Sequence, residues 1–154
     1  FFVIFLGLGW SIISGALTLA FMVLPTITRT AQEAILSVPR EYRENSLALG
    51  AGKWQTVCRV VIPPALPGII TGIILSIGRA VGETAAIILT AGSSLNMPLS
   101  LSDSTRTMSV HLYLLAMEGV SLERAFTTAF LIIILIIIIN YLANLSLRRL
   151  AANN

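Results

Sequence analysis

The stretch IPPALPGIITGIILSIGRAVGETAAIILTAG, residues 62–92, carries only two charged side chains, Arg79 and Glu83. A helix needs about 20 apolar residues to cross the hydrocarbon of a bilayer, so this stretch is long enough to span one. Two more stretches match it once charges are used as punctuation. Residues 1–28 and 125–147 contain no charged residue. The run LIIILIIII at 131–139 is rich in β-branched side chains, which favour strands in water. Its length and lack of period-two alternation favour helix in lipid, where the backbone must satisfy its own hydrogen bonds. The whole chain agrees: 56% of its 154 residues are hydrophobic, 11% are charged and the mean hydropathy is +0.90. Soluble domains carry roughly a quarter charged residues. The expected fold class is an all-α membrane protein, a polytopic helical bundle with three spans here.

The cations orient those spans. Arg29, Arg40, Arg43, Lys53 and Arg59 lie between the first and second spans, and Arg148 and Arg149 follow the third. Only Arg106 and, at its edge, Arg124 lie between the second and third. The positive-inside rule therefore puts the 29–61 loop and the C-terminus in the cytoplasm, and the 93–124 loop outside. The net charge of +3 reports topology, and membrane lipid is the expected surround, with no nucleic-acid role. The cytoplasmic loop has its own structure. TAQEAILSV reads as a short helix closed by Pro39. REYRENSLALG reads as a helix ending at Gly50, the residue best suited to a left-handed cap. KWQTVCRVVI sets Trp54, Val57, Val60 and Val61 on a helical stripe, and Pro63, Pro64 and Pro67 open the second span. In the outer loop, SVHLYLLAMEG reads as a short helix capped by Gly119.

Arg79 and Glu83 stand four residues apart, so an unbroken helix puts them on one face within reach of each other. Gly68, Gly72, Leu75, Arg79, Gly82, Glu83 and Ala86 fall in one stripe. The small-xxx-small pairs Gly68/Gly72 and Gly78/Gly82 let other helices approach closely. A charge facing lipid at mid-membrane costs roughly 2.5–3.5 kcal/mol on insertion scales, so the pair is expected to face the bundle interior. Two readings stay open on the residues alone. One is a self-contained ion pair that stabilises the bundle. The other is an anion path lined by Arg79, whose planar fork of donors matches an oxyanion, with Glu83 orienting it. Thr84 and Thr90 offer hydroxyls nearby, but threonine commonly bonds back to its own helix.

Other chemistries find little support. Cys58 and His111 are each the only residue of their kind, so neither a disulfide framework nor a metal site is expected. Ser76 has no histidine near it in sequence to form a hydrolase pair. A P-loop around Gly52-Lys53 would need glycine at 47 and Ser or Thr at 54, where Leu47 and Trp54 stand. No catalytic residues, cofactor or metal are expected, and any ATPase must be a separate chain. The first span lacks a basic leader region and a small-residue cleavage site. It begins without methionine, as a fragment would.

The order Glu44-Asn45-Ser46, three residues, Gly50, nine residues, then Val60-Val61-Ile62-Pro63 resembles the EAA loop of bacterial ABC importer permeases, E-A-A-x3-G-x9-I-x-L-P. Asn45 and Ser46 depart from the two alanines. The flanks, LPTITRTAQEAILSVPREYRENSLALGAGKWQTVCRVVIPPALPGIITGIIL and GRAVGETAAIILTAG, are similar to phosphate transport permeases of the PstA type, within the MetI-like transmembrane domain class. The sister permease usually has methionine where Ala85 stands. The resemblance covers essentially the whole chain as the C-terminal half of a permease with about six spans. It implies an ATP-driven inorganic phosphate importer. Its partners would be a second permease subunit, two copies of an ATP-binding subunit and an extracytoplasmic phosphate-binding protein. It assigns ATPase coupling to Glu44, Ala48, Gly50, Ala51 and Gly52, and translocation to Arg79 and Glu83.

The loop has a physical reading of its own. A kinked helix pair with small residues at its bend forms a knob that fits a groove on another protein. The competing reading is an amphipathic segment in the membrane interface, anchored by Trp54 and Arg59. For function, the alternatives are a permease for another oxyanion such as molybdate or sulfate, the sister phosphate permease, and an ATPase-independent channel or scaffold.

Overall fold

The computed structural model describes residues 1–119 and 121–152, with side chains through Leu145. Helices run in the order α1 (Ile12–Leu36), α2 (Arg40–Ala48), α3 (Lys53–Thr56), a π-helical turn (Val57–Val61), α4 (Ile62–Val81), α5 (Ala85–Ile88), α6 (Met108–Met117) and α7 (Leu122–Ala152). No strand occurs among the described residues, so the all-α membrane class holds. Among the described residues, three helical stretches are long and apolar enough to cross a membrane: Ile12–Leu36, Lys53–Val81 and Leu122–Leu145.

These bounds correct the sequence reading in three places. The first span starts at Ile12, because Gly7 and Gly9 take left-handed φ values of 65° and 60° that end any helix there. The Ser11 hydroxyl then accepts the Ser14 N–H at 3.2 Å and caps the new helix. That helix also continues past Arg29 to Leu36, so TAQEAILSV supplies its last turns and the loop shrinks to the segment before Lys53. The second span begins earlier, at Lys53, and stops at Val81. Pro63 and Pro64 lack the N–H groups that would bond the carbonyls of Arg59 and Val60 in an α-helix. The backbone widens just before them into the π turn, where Ile62 N–H reaches the Val57 carbonyl. The third span begins slightly earlier, at Leu122, with the Ser121 hydroxyl accepting the Arg124 N–H at 3.3 Å. The side chains of Arg148 and Arg149 lie outside the described residues.

The chain divides into two compact units: Phe1–Leu24 with Ile77–Asn140, and Pro25–Ser76 with the chain from Tyr141. In the first, Ile87, Ala91 and Val110 form the core, with Leu19, Ile88 and Leu114 against them. In the second, Val38, Val61 and Ala65 are buried together, flanked by Ala34 and Ile69. Most large apolar side chains of the spans remain exposed, Phe21, Phe126, Phe130, Ile133 and Ile137 among them. In water that surface would drive aggregation; in a bilayer it faces acyl chains or neighbouring helices.

Candidate functional site

The Arg79–Glu83 segment is a helix break. The Gly82 N–H bonds the Arg79 carbonyl and the Glu83 N–H bonds the Ala80 carbonyl, both at 3.2 Å, which tightens the last turn of α4. The Ser109 hydroxyl of α6 donates to the Glu83 carbonyl at 2.7 Å. The Glu83 Oε1 accepts the Ala86 N–H at 3.4 Å and so turns toward α5. The shared face expected of Arg79 and Glu83 therefore does not form, because the helix that would carry it stops at Val81. Among the described residues the one ion pair within 4.0 Å is Arg29–Glu33, at 3.2 Å. Arg79 is exposed and stands in the last turn of its helix, where the dipole favours a cation. Glu83 is half-buried. The Thr90 hydroxyl bonds back to the Ala86 carbonyl at 2.7 Å, as threonine in a helix tends to do.

The four glycines of the two small-xxx-small pairs have different surroundings. A Cβ on Gly68 would lie 2.7 Å from the Ala34 Cβ. One on Gly72 would lie 2.7 Å from the Thr30 Cβ and closer still to its hydroxyl. These two let α4 approach α1. A Cβ on Gly78 would meet only the Asn140 Oδ1, at 3.8 Å, and one on Gly82 only the Arg79 carbonyl, at 3.7 Å. Gly82 lies at the break in α4, where a Cβ would be accommodated.

The second unit carries the knob. α2 ends in a Schellman motif: Gly50 has φ 83°, its N–H bonds the Leu47 carbonyl at 3.0 Å, and the Ala51 N–H bonds the Ser46 carbonyl at 3.2 Å. Gly52, extended at φ −69° and ψ 155°, then starts α3. The bend presents Leu49, 89% exposed, and Trp54, 79% exposed, with Glu44, Ala48, Gly50 and Gly52 also exposed and Ala51 half-buried. Beside it a cleft of about 590 Å³ is bordered by Tyr42, Asn45, Ser46, Gln55 and Val60 among others. The Ser46 hydroxyl lies 2.9 Å from that of Thr56, which is 3% exposed, and this bond joins α2 to α3. Ser46 thus makes a polar contact where the EAA pattern has alanine. The Arg43 Nη2 donates to the Ile35 carbonyl at 2.7 Å and ties α2 to the end of α1.

Sequence reasoning did not single out Ser109, Thr30, Asn140 or Leu49. Spacing along one helix carries no signal for partners that arrive from other helices. Leu49 was legible in principle, as an apolar residue immediately before the glycine that bends the knob.

The family model described as "Binding-protein-dependent transport system inner membrane component" matches residues 1–152. The chain is 42% identical over 131 residues to the probable ABC transporter permease protein YqgI of Bacillus subtilis (strain 168), covering 77% of this chain and 45% of that protein. It is 45% identical over 96 residues to the phosphate transport system permease protein PstA 1 of Mycobacterium tuberculosis (strain ATCC 25618 / H37Rv), covering 62% and 31%. It is 34% identical over 138 residues to the PstA homolog of Mycoplasma pneumoniae, covering 88% and 21%. The chain spans less than half the length of these relatives. No solved structure matches it with significance.

Proposed function

Starting from a chain that belongs to the family of binding-protein-dependent transport system inner membrane components, and so is a multi-pass inner membrane protein, we propose that it forms the C-terminal part of a phosphate importer's permease subunit. The observation that carries this reading is Arg79: a guanidinium with no carboxylate within ion-pair distance among the described residues, exposed where an apolar helix breaks. A fixed cation there attracts an oxyanion and offers it a fork of donors, while the lack of a tight built-in pair leaves those donors available. Interrupted spans are a recurring device at transporter sites, since the break frees polar backbone where an ion must pass. The relatives named as phosphate transport permeases support phosphate as that ion.

In this reading the spans 12–36, 53–81 and 122–145 line or support the path, and the 37–52 bend faces the cytoplasm. Glu44, Ala48, Gly50, Ala51 and Gly52 present the bend, with Leu49 at its tip, to a groove on an ATP-binding subunit. A second permease subunit completes the path, two ATP-binding subunits drive it, and an extracytoplasmic phosphate-binding protein delivers the ion. ATP hydrolysis takes place on the partners. Movement of the knob between two states tilts the spans and exposes Arg79 alternately to either side. Glu83, turned toward α5, sets the geometry of the break.

Phosphate uptake by proteoliposomes holding the full transporter tests this. Arg79→Gln is expected to leave assembly and ATPase stimulation intact while abolishing uptake. Gly50→Arg is expected to remove ATPase stimulation as well, by blocking the groove. Normal phosphate uptake by a well-assembled Arg79→Gln variant would refute the role of Arg79. Uptake of sulfate or molybdate but not phosphate by the unmodified transporter would retain the architecture and overturn the substrate.

A further inference from the structure

We propose that the cleft beside α6, separate from Arg79, is a binding site for a small tetrahedral oxyanion held by Arg106 and His111. The cleft encloses about 500 Å³, and its polar lining is Ser94, Asn96, Thr105, Arg106, His111 and Thr128. Among the described residues no aspartate or glutamate lines it. The nearest acidic residue in sequence, Asp103, has one carboxylate oxygen accepting the N–H groups of Leu99 and Ser100, both at 2.9 Å.

Arg106 is half-buried and already positioned. Its Nε donates to the Ser93 carbonyl at 2.8 Å, and its Nη1 meets the His111 Nδ1 at 3.5 Å. A guanidinium only donates, so a hydrogen bond across this contact has Nδ1 as its acceptor and Nε2 as the protonated nitrogen. Two of the five guanidinium N–H groups are thereby used, and the other three have no partner among the described residues. His111 Nε2–H adds a further donor. Met108 opens α6 at the edge of the same cleft, while the Val110 N–H of that first turn is taken by the Thr107 hydroxyl at 3.4 Å.

An array of donors with one fixed positive charge and no competing carboxylate selects an anion with several acceptor oxygens. Leu95, Met97, Pro98 and Leu131 complete the wall. Neutral solutes would leave the arginine uncompensated, and cations would be repelled. The site stands on this geometry. Its use as a staging point for transported ions rests on the permease reading above.

The test uses the full-length transporter in nanodiscs, without a binding protein, with isotopically labelled histidine. His111 is the only histidine of this segment, so its ring signal is assigned by its loss in His111→Gln. Inorganic phosphate is titrated at constant pH and ionic strength, with chloride as control. The expected result is a saturable shift of the His111 signal with phosphate and none with chloride. Arg106→Gln is expected to weaken it about tenfold or more, since a charge-assisted pair is lost. Asn96→Asp, at an exposed position that keeps the fold, is expected to abolish it by placing a carboxylate in the cleft. A saturable response to sulfate or molybdate but not phosphate would uphold the oxyanion site and overturn its use as a staging point for phosphate. No shift with any oxyanion, or equal shifts with chloride, would overturn the proposal, as would full phosphate response in Asn96→Asp.

Discussion

Gly72→Ala probes the contact between α4 and α1. The added Cβ would sit 2.7 Å from the Thr30 Cβ and nearer to the Thr30 hydroxyl, whereas carbon atoms pack best at about 3.5–4.0 Å. The hydroxyl is held in place by the Thr26 and Ile27 carbonyls at 3.0 and 3.1 Å, so rotating it away sacrifices those bonds. The alternative is for α1 and α4 to part by roughly 1 Å, and overpacking of that kind typically costs about 1–3 kcal/mol. Gly82→Ala is the matched control: it introduces a Cβ with nothing nearer than 3.7 Å. The assay is the fraction of full-length subunit remaining monodisperse in detergent after graded heating, for each variant. Gly72→Ala is expected to lose its fold at clearly lower temperature than Gly82→Ala. Thr30→Ala is expected to restore part of the loss, with a coupling of about 0.5–3 kcal/mol between the sites. Equal stability of the two alanine variants, or strict additivity with Thr30→Ala, would refute the packing argument.

Ser76 is 1% exposed and its hydroxyl has no hydrogen-bond partner among the described residues, so Ser76→Ala removes a buried orphan. It is expected to raise the same thermal midpoint, by a stabilisation of about 1 kcal/mol, and a fall would contradict the assignment. Ser109→Ala removes the bond to the Glu83 carbonyl and is expected to cost about 1 kcal/mol, seen as faster amide exchange at residues 83–92. Unchanged exchange there would show that α6 does not hold the break.

The membrane class was legible because length and the absence of charge suffice to define a span. So was the knob, since a helix ending in Leu49-Gly50 predicts the left-handed cap that the chain adopts. The expectation that failed was the Arg79/Glu83 face. Periodicity presumes a continuous helix, and the break at Gly82 is reinforced by Ser109, twenty-six residues further along the chain. Sequence spacing has no access to such a partner. The same limit applies to Gly72 and Gly82, which share a pattern yet differ in what approaches them. Span bounds moved for local reasons: left-handed Gly7 and Gly9 at one end, and proline-driven widening before Pro63 at the other. Arg106 and His111 were read only as a loop cation and a lone histidine, because the cleft joining them is built from several segments.

Restoring charge chemically at position 79 distinguishes a path-lining cation from a structural one. In a Cys58→Ser background, Arg79→Cys transporter is assembled in proteoliposomes and treated with water-soluble thiosulfonates that add either an aminoethyl cation or a sulfonatoethyl anion. Uptake of phosphate is expected to be absent before treatment, to recover in part with the cationic adduct and to stay absent with the anionic one. Phosphate is expected to slow both modifications. A cysteine that neither reagent reaches, or uptake indifferent to the sign of the added charge, would contradict the role given to Arg79.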